Sequence, residues 1–193
     1  INMKYDIIIS GVGGQGILAI AMVLGKACIG ENLQVRQSEI HGMAQRGGAV
    51  HSHFRFSNEQ ICSDLIPLNK ADMILAMEPM EALRYLPYLK SDGKIVANSE
   101  PVINIPDYPE IETITTQLKD NSDAFIFDGS IIAADAGAKK ALNMAMLGAA
   151  SPFLPLSEDT LINAIKTQFK NKKEELIQKN LDIFAAARKA AET

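Results

Sequence analysis

Two cysteines, Cys28 and Cys62, are all the thiol this 193-residue sequence has, and they form no CxxC pair. Their scarcity excludes a zinc finger, a disulfide framework and any iron–sulfur cradle built from this chain alone. Cationic excess is missing too: the formal net charge is −4 and the pI about 5.4, so there is no broad basic surface for a nucleic-acid backbone. Basic residues gather only near the end, where residues 165–193 hold seven Lys and Arg against four Asp and Glu, the pattern of a solvated helix face. The longest uncharged run, Ile7 to Gly25, is interrupted by Ser10, Gln15 and four glycines, which suits neither a membrane span nor a signal sequence. A cytoplasmic chain with neither nucleic acid nor membrane as partner is expected. No Walker A sequence occurs, because neither Gly25-Lys26 nor Gly93-Lys94 is followed by Ser or Thr. No Ser–His–Asp order or cysteine nucleophile motif is present either, so the chain is poor in catalytic groups of its own.

What is present has the balance of a globular protein, 47% apolar against 22% charged. Ile1 and Asn2 precede the first methionine and are left out of the fold reasoning; residues 3–193 read as a single domain. Lys4 to Ser10 is a short β-branched run ending in glycines, the mark of a buried strand meeting a tight turn. Ile17 to Cys28 is apolar on almost every face, a helix covered by a sheet and by something else, with Gly30 available to end it. Leu33 to Ile40 reads as a second strand. In the next, Ala49 to Phe56, Val50, Ser52, Phe54 and Phe56 share a core face while His51, His53 and Arg55 share a polar one. Strand, helix and strand follow at Met73–Ala76, Met80–Leu89 and Lys94–Asn98, the last after an Asp92-Gly93 turn. Glu100 to Asp120, with Pro101, Pro106 and Pro109, reads as irregular chain with one strand near Ile111–Thr115. Ala124–Asp128 is a strand, Ser130 caps a helix to Ala136, and Ala138–Gly148 is helical. Ser157 opens another helix, and the last, Lys172–Ala191, carries a stripe of Leu176, Asn180, Leu181, Phe184 and Ala187. The sum is a single Rossmann-like α/β domain with a mostly parallel sheet flanked by helices.

Two segments carry the candidate chemistry. Gly11, Gly13 and Gly16, with Gly14 and Gln15 between, satisfy G-x-G-x-x-G after a strand and before a helix, where backbone N–H groups are able to meet an anion. A dinucleotide site also wants an acid closing the second strand; Glu39 comes late, and Gln37 and Ser38 stand in its place. The competing reading is that these glycines permit close helix–sheet packing. The second segment, His41 to Gly48, groups His41, Gln45 and Arg46 among small residues, including Gly47 and Gly48, that leave them unshielded. Such a loop approaches an anion or another protein closely, or else Arg46 simply pairs with a local carboxylate. His51 and His53 with His41 are a metal set in principle, but no acidic or thiol ligand has matching spacing, and no metal site is expected.

Gly11-Val12-Gly13-Gly14-Gln15-Gly16, Ser38 to Gly48 and Asn143-Met144-Ala145-Met146-Leu147-Gly148-Ala149 together resemble the gamma-type subunits of 2-oxoacid:ferredoxin oxidoreductases. The His-Gly-Met-x-Gln-Arg-Gly-Gly form is most similar to that of the beta subunits of indolepyruvate ferredoxin oxidoreductases. Pyruvate and 2-oxoglutarate relatives more usually have a Tyr-Gly-Pro-Glu-x-Arg-Gly-Gly loop, so the departure points to an arylpyruvate. The resemblance implies oxidative decarboxylation of a 2-oxo acid to an acyl-CoA with electrons passed to ferredoxin. It also implies that thiamine diphosphate and iron–sulfur clusters reside on a larger partner subunit or subunits, with coenzyme A joining the assembled enzyme and no cofactor bound by this chain alone. Gly13, Gly14, Gln15 and Gly16 match the first motif and His41, Gln45, Arg46, Gly47 and Gly48 the second, the latter as a loop facing the active site or the partner. The alternatives from other classes are a free-standing nucleotide-binding or regulatory module using the first glycine loop, and a structural subunit that touches no ligand.

Overall fold

A computed structural model of the chain describes residues 3–42 and 47–193. Among them six strands form one sheet in the order β2-β3-β1-β4-β5-β6: β1 Lys4–Val12, β2 Gln34–His41, β3 Ala49–Ser57, β4 Ala71–Ala76, β5 Leu89–Asn98 and β6 Asp123–Phe127. The β1/β4, β4/β5 and β5/β6 pairings are parallel, while β3 runs antiparallel to both β1 and β2. Ile7, Ile8 and Ile9 of β1 are wholly buried, as a continuous apolar run in a strand covered on both faces requires.

The helices divide between the two faces. Helices α1 (Ile17–Gly30), α5 (Leu142–Ala150), α6 (Glu158–Phe169) and α7 (Glu174–Ala191) close the larger core over Ile7, Ile9, Phe54 and Phe56. Helix α4 (Gly129–Asp135) packs on this side against α5 and α7. The close crossing of α5 and α7 depends on Gly148, where a Cβ would stand 2.2 Å from the Phe184 carbonyl oxygen. Helices α2 (Pro79–Arg84) and α3 (Ile111–Asn121) cover the opposite face with Ile8, Ile74 and Ile95.

The structure corrects several local expectations. Ile111–Thr115 is not a strand but the start of α3: Ile111, Ile114 and Leu118 recur at helical spacing, and burial of Ile114 and Leu118 against the sheet outweighs the β-branched composition. The helix expected to reach Leu89 stops at Arg84 and becomes a 3₁₀ turn at Leu86–Tyr88, because Pro87 cannot continue it. The turn at Asp92-Gly93 is absorbed into β5 as a register irregularity against β4, with the Leu89 side chain packed over Gly93. Asp128, not Ser130, caps α4 through the Ile131 amide. Helix α1 does end at Gly30, and left-handed Asn32 turns the chain two positions beyond it. The inward stripe of α7 is Ile177, Asn180, Ile183, Phe184 and Ala187, leaving Leu176 exposed. Finally, the polar face of β3 is covered: His53 and Arg55 are buried.

Candidate functional site

Beyond β1 the chain turns through Gly13–Gly16, with Gly14 and Gly16 in the left-handed region at φ of 102° and 84°. Gln15 folds back into this turn. Its Oε1 accepts from the Val12 amide at 2.7 Å, and its Nε2 donates to the Met77 carbonyl beyond β4 at 3.1 Å. Gly11 is needed beneath it, since a Cβ there would stand 2.6 Å from the Gln15 oxygen and 2.8 Å from Met77. Gly16 is needed against α5, where a Cβ would meet the Asn143 amide at 2.7 Å. The first and third sequence motifs therefore pack on each other.

After β1 the chain runs to one face of the sheet through α1, and after β4 to the other through α2. This divergence of neighbouring parallel strands is where a doubly wound sheet ordinarily accepts a ligand. Here Gln15 bridges the two strand ends. Two of the turn's own donors are also engaged, Gly13 N–H to the Gly48 carbonyl at 2.9 Å and Gln15 N–H to Val12 at 3.1 Å. Gln15 thus fills the crevice between the strand ends, and the close-packing reading of the glycines accounts for Gly11 and Gly16.

The second motif leaves from β2 and returns into β3. Gly42 N–H donates to the Ala49 carbonyl at 2.9 Å, closing the base of the loop, and the Asn104 side-chain amide donates to the Gly47 carbonyl. Gly47 is left-handed at φ 75°. Gln45 and Arg46 lie outside the described residues. Through Gly13 and Gly48, residues 35 positions apart in sequence share a backbone hydrogen bond at the carboxyl end of β1. Between the motifs lies a cleft of about 310 Å³ lined by Val12, Gly13, Gly14, Gly16, Ile17, Leu18, Glu39, His41 and Val50. Glu39 Oε1 is 2.6 Å from His41 Nε2, while Glu39 Oε2 is buried with no hydrogen-bond partner among the described residues. An unpartnered buried carboxylate oxygen is costly, and this one belongs to a side chain that lines the cleft.

The three histidines do not converge. His41 pairs with Val50 and His51 with Ile40 in the β2/β3 register, so alternation sends His41 and His51 to opposite faces of the sheet. The hydroxyl of Tyr85 lies 2.8 Å from His51 Nδ1, and burial together with His53 pushes His51 down to about 4. His53 is lowered by burial and by Arg55, and its Nδ1 accepts from the Ile66 amide. Arg55 grips both oxygens of buried Asp6 at 2.9 and 3.0 Å and donates to the Ser63 and Leu65 carbonyls. These residues fasten the segment between β3 and β4 beneath the sheet. Among the described residues no group of three or more His, Cys, Asp or Glu side chains has the geometry to hold a metal ion. Burial pushes the Cys28 thiol up to about 12, unsuited to a ligand or nucleophile, and Cys62 is exposed.

Sequence reasoning missed Glu78. It is buried, caps α2 through the Glu81 amide, and takes both the Tyr108 hydroxyl and the Val102 amide on Oε1. It thereby steadies residues 99–110, from which Asn104 reaches Gly47. The local signal was Glu78-Pro79, an acceptor followed by proline at the first helical position.

The family model described as pyruvate ferredoxin/flavodoxin oxidoreductase matches residues 6–190. The chain is 37% identical over 191 residues to indolepyruvate oxidoreductase subunit IorB of Methanothermobacter thermautotrophicus, covering 94% of this chain and 95% of that one. It is 35% identical to the IorB subunit of Pyrococcus horikoshii, covering 96% of each. Its fold is similar to the gamma subunit of keto/oxoacid ferredoxin oxidoreductase from Geobacter sulfurreducens, with a TM-score of 0.75 at 22% identity over 98% of this chain and 97% of that one. No helix among the described residues is long and apolar enough to cross a membrane.

Proposed function

Because the chain belongs to the pyruvate ferredoxin/flavodoxin oxidoreductase family, we propose that it is the small subunit of a cytoplasmic enzyme that converts an arylpyruvate of the indolepyruvate kind to the acyl-CoA and passes the electrons to ferredoxin. The substrate class rests on near-full-length similarity to indolepyruvate oxidoreductase subunits. Thiamine diphosphate and the iron–sulfur clusters belong to a larger subunit, where the thiamine supplies the acyl carbanion equivalent and the clusters carry the electrons. One buried and one exposed cysteine do not fit a cluster, so no step is assigned to such a group on this chain.

The observation that carries the reading is the meeting of the two glycine-bearing motifs at the Gly13–Gly48 hydrogen bond, beside a cleft that holds a carboxylate oxygen with no partner among the described residues. The role of this chain is to present the His41–Gly48 loop to the partner's reaction centre. Arg46 offers a fixed positive charge to the carboxylate of the 2-oxo acid or to a phosphate of coenzyme A, and Gly47 and Gly48 leave it unshielded. Glu39 and His41 form the wall of the cleft on the same side. A free-standing nucleotide-binding module is less favoured, since the relatives are named as subunits and Gln15 bridges the crevice such a module would use.

Anaerobic affinity purification from the native cell tests the reading. A brown, thiamine-containing larger subunit is expected, with ferredoxin reduction fastest on indolepyruvate among indolepyruvate, pyruvate and 2-oxoglutarate. A colourless chain recovered alone overturns it. In the assembled enzyme Arg46→Ala is expected to lower kcat/KM by about 100-fold, the scale of losing one preorganised charge contact, with assembly intact. Unchanged kinetics would remove Arg46 from the site.

A further inference from the structure

The chain between β5 and α3 passes the carboxyl ends of β4 and β1, meeting Glu78 just beyond the one and Gly47, next to the Gly13–Gly48 bond, beyond the other. Both flanks of this strap are tied to a single atom, because Oε1 of Glu78 accepts from the Val102 amide and from the Tyr108 hydroxyl. Glu78 is 1% exposed, and its other oxygen takes the Glu81 amide. A carboxylate is costly to bury and is kept where hydrogen bonds engage it. Yet between its anchors the strap adds little to either core, since Ile103 and Ile105 are 73% and 39% exposed. What it turns inward is Asn104, whose side-chain amide donates to the Gly47 carbonyl 57 residues away.

The place where Asn104 takes hold is the second observation. Gly47 is left-handed and is followed by Gly48, so the loop re-enters β3 through two residues whose backbones have little preference of their own. Their direction is set from outside: Gly13 N–H holds the Gly48 carbonyl and Asn104 holds the Gly47 carbonyl. The first tie is backbone to backbone and follows from the meeting of the two motifs. The second is exposed, where a hydrogen bond adds little to stability, and it depends on one side chain. A buried carboxylate thus anchors a strap whose inward contact is a directional one on the loop.

We propose that Asn104, carried on the strap that Glu78 anchors, is a positioning residue for the His41–Gly48 loop, setting its return into β3 by holding the Gly47 carbonyl. Its consequence for the reaction rests on the proposed function given above, in which this loop presents Arg46 to the partner's reaction centre. Asn104 touches no reacting group in that reading. It acts through Gly47, and a small error in the direction of a loop is magnified at the charge the loop carries.

The first test uses the free chain, with trypsin cleavage at the Arg46–Gly47 bond followed by mass spectrometry. Asn104→Ala and Asn104→Asp remove the amide donor, the second with the shape of the side chain kept. Tyr108→Phe takes a hydroxyl from Glu78 and leaves Asn104 in place. Each is expected to speed this cleavage by about fivefold, with Tm within about 2 °C of the parent in the two Asn104 variants. Rates unchanged in both Asn104 variants overturn the proposal, and so does an unchanged rate in Tyr108→Phe. The second test uses the assembled enzyme, where Asn104→Ala is expected to lower kcat/KM by about tenfold in the parent and by less than about twofold in the Arg46→Ala background. A merely structural role would cost the same factor in both backgrounds, and that result also overturns the proposal. If Arg46→Ala itself changes nothing, the proposed function is at fault, and the cleavage rates, which need no partner, decide whether Asn104 sets the loop.

Discussion

The two glycine-bearing segments look alike in composition and are used in opposite ways. In Gly11–Gly16 the polar groups turn inward: Gln15 joins β1 to the end of β4, and Gly13 and Gln15 donate their amides within the chain. At Glu39 and His41, by contrast, one oxygen of Glu39 has no partner among the described residues and the His41 side chain, though it meets the other oxygen, is 62% exposed. Polar groups engaged within a chain hold its shape, whereas those left over await something from outside. By that criterion the first motif is a clasp, and the second fits the partner-facing role we propose for it.

The sharpest way to break this comparison is Gln15→Ala. It removes two hydrogen bonds at the β1/β4 crevice and leaves the Val12 amide and Met77 carbonyl without their partner. We expect a loss of about 2–3 kcal/mol, a fall in Tm of roughly 5–10 °C, read by thermal unfolding of the free chain. A stable variant that gains nucleotide affinity would show instead that Gln15 gates a ligand site.

The histidines of β3 supply a second, milder probe, because they too are engaged inward. Both are lowered from the ordinary histidine value, His51 to about 4, so the folded chain binds fewer protons than the unfolded one below neutrality. Their contribution to stability is fully present above about pH 6.5 and is lost as the pH falls toward 4. Urea midpoints measured across that window are expected to decline with acid, and His51→Gln to flatten the decline. A midpoint independent of pH in the parent would count against inward engagement.

The smallest effect on stability is expected from Glu39→Gln, where the affected oxygen has no partner among the described residues. Tm should move by less than about 2 °C, while ferredoxin reduction by the assembled enzyme falls. If stability collapses and activity per folded molecule is unchanged, Glu39 belongs with the clasp.

Much of the fold was legible in the sequence. The β-branched run at Ile7–Ile9 and the Ser157 cap of α6 are local signals with local causes, and each appears where expected; the alternation in β3 placed the strand but not the covering of its polar face. Helix α3 was not legible, because its threonines and isoleucines favour a strand until burial of Ile114 and Leu118 on the sheet selects the helix. The site was half legible. Composition marked both motifs, but not that the Gly13 and Gln15 amides of the first are held by Gly48 and Val12. Glu78 passed unnoticed because its partners Val102 and Tyr108 lie 24 and 30 residues away.

The sequence by itself determined the alternation of strand and helix and the absence of a cluster-binding cysteine set. The tertiary structure alone decided which polar groups are engaged and which are left over. The reason is physical: Gln15 meets Met77 across 62 residues and Gly13 meets Gly48 across 35. Such contacts are set by strand order and register, which no local propensity encodes.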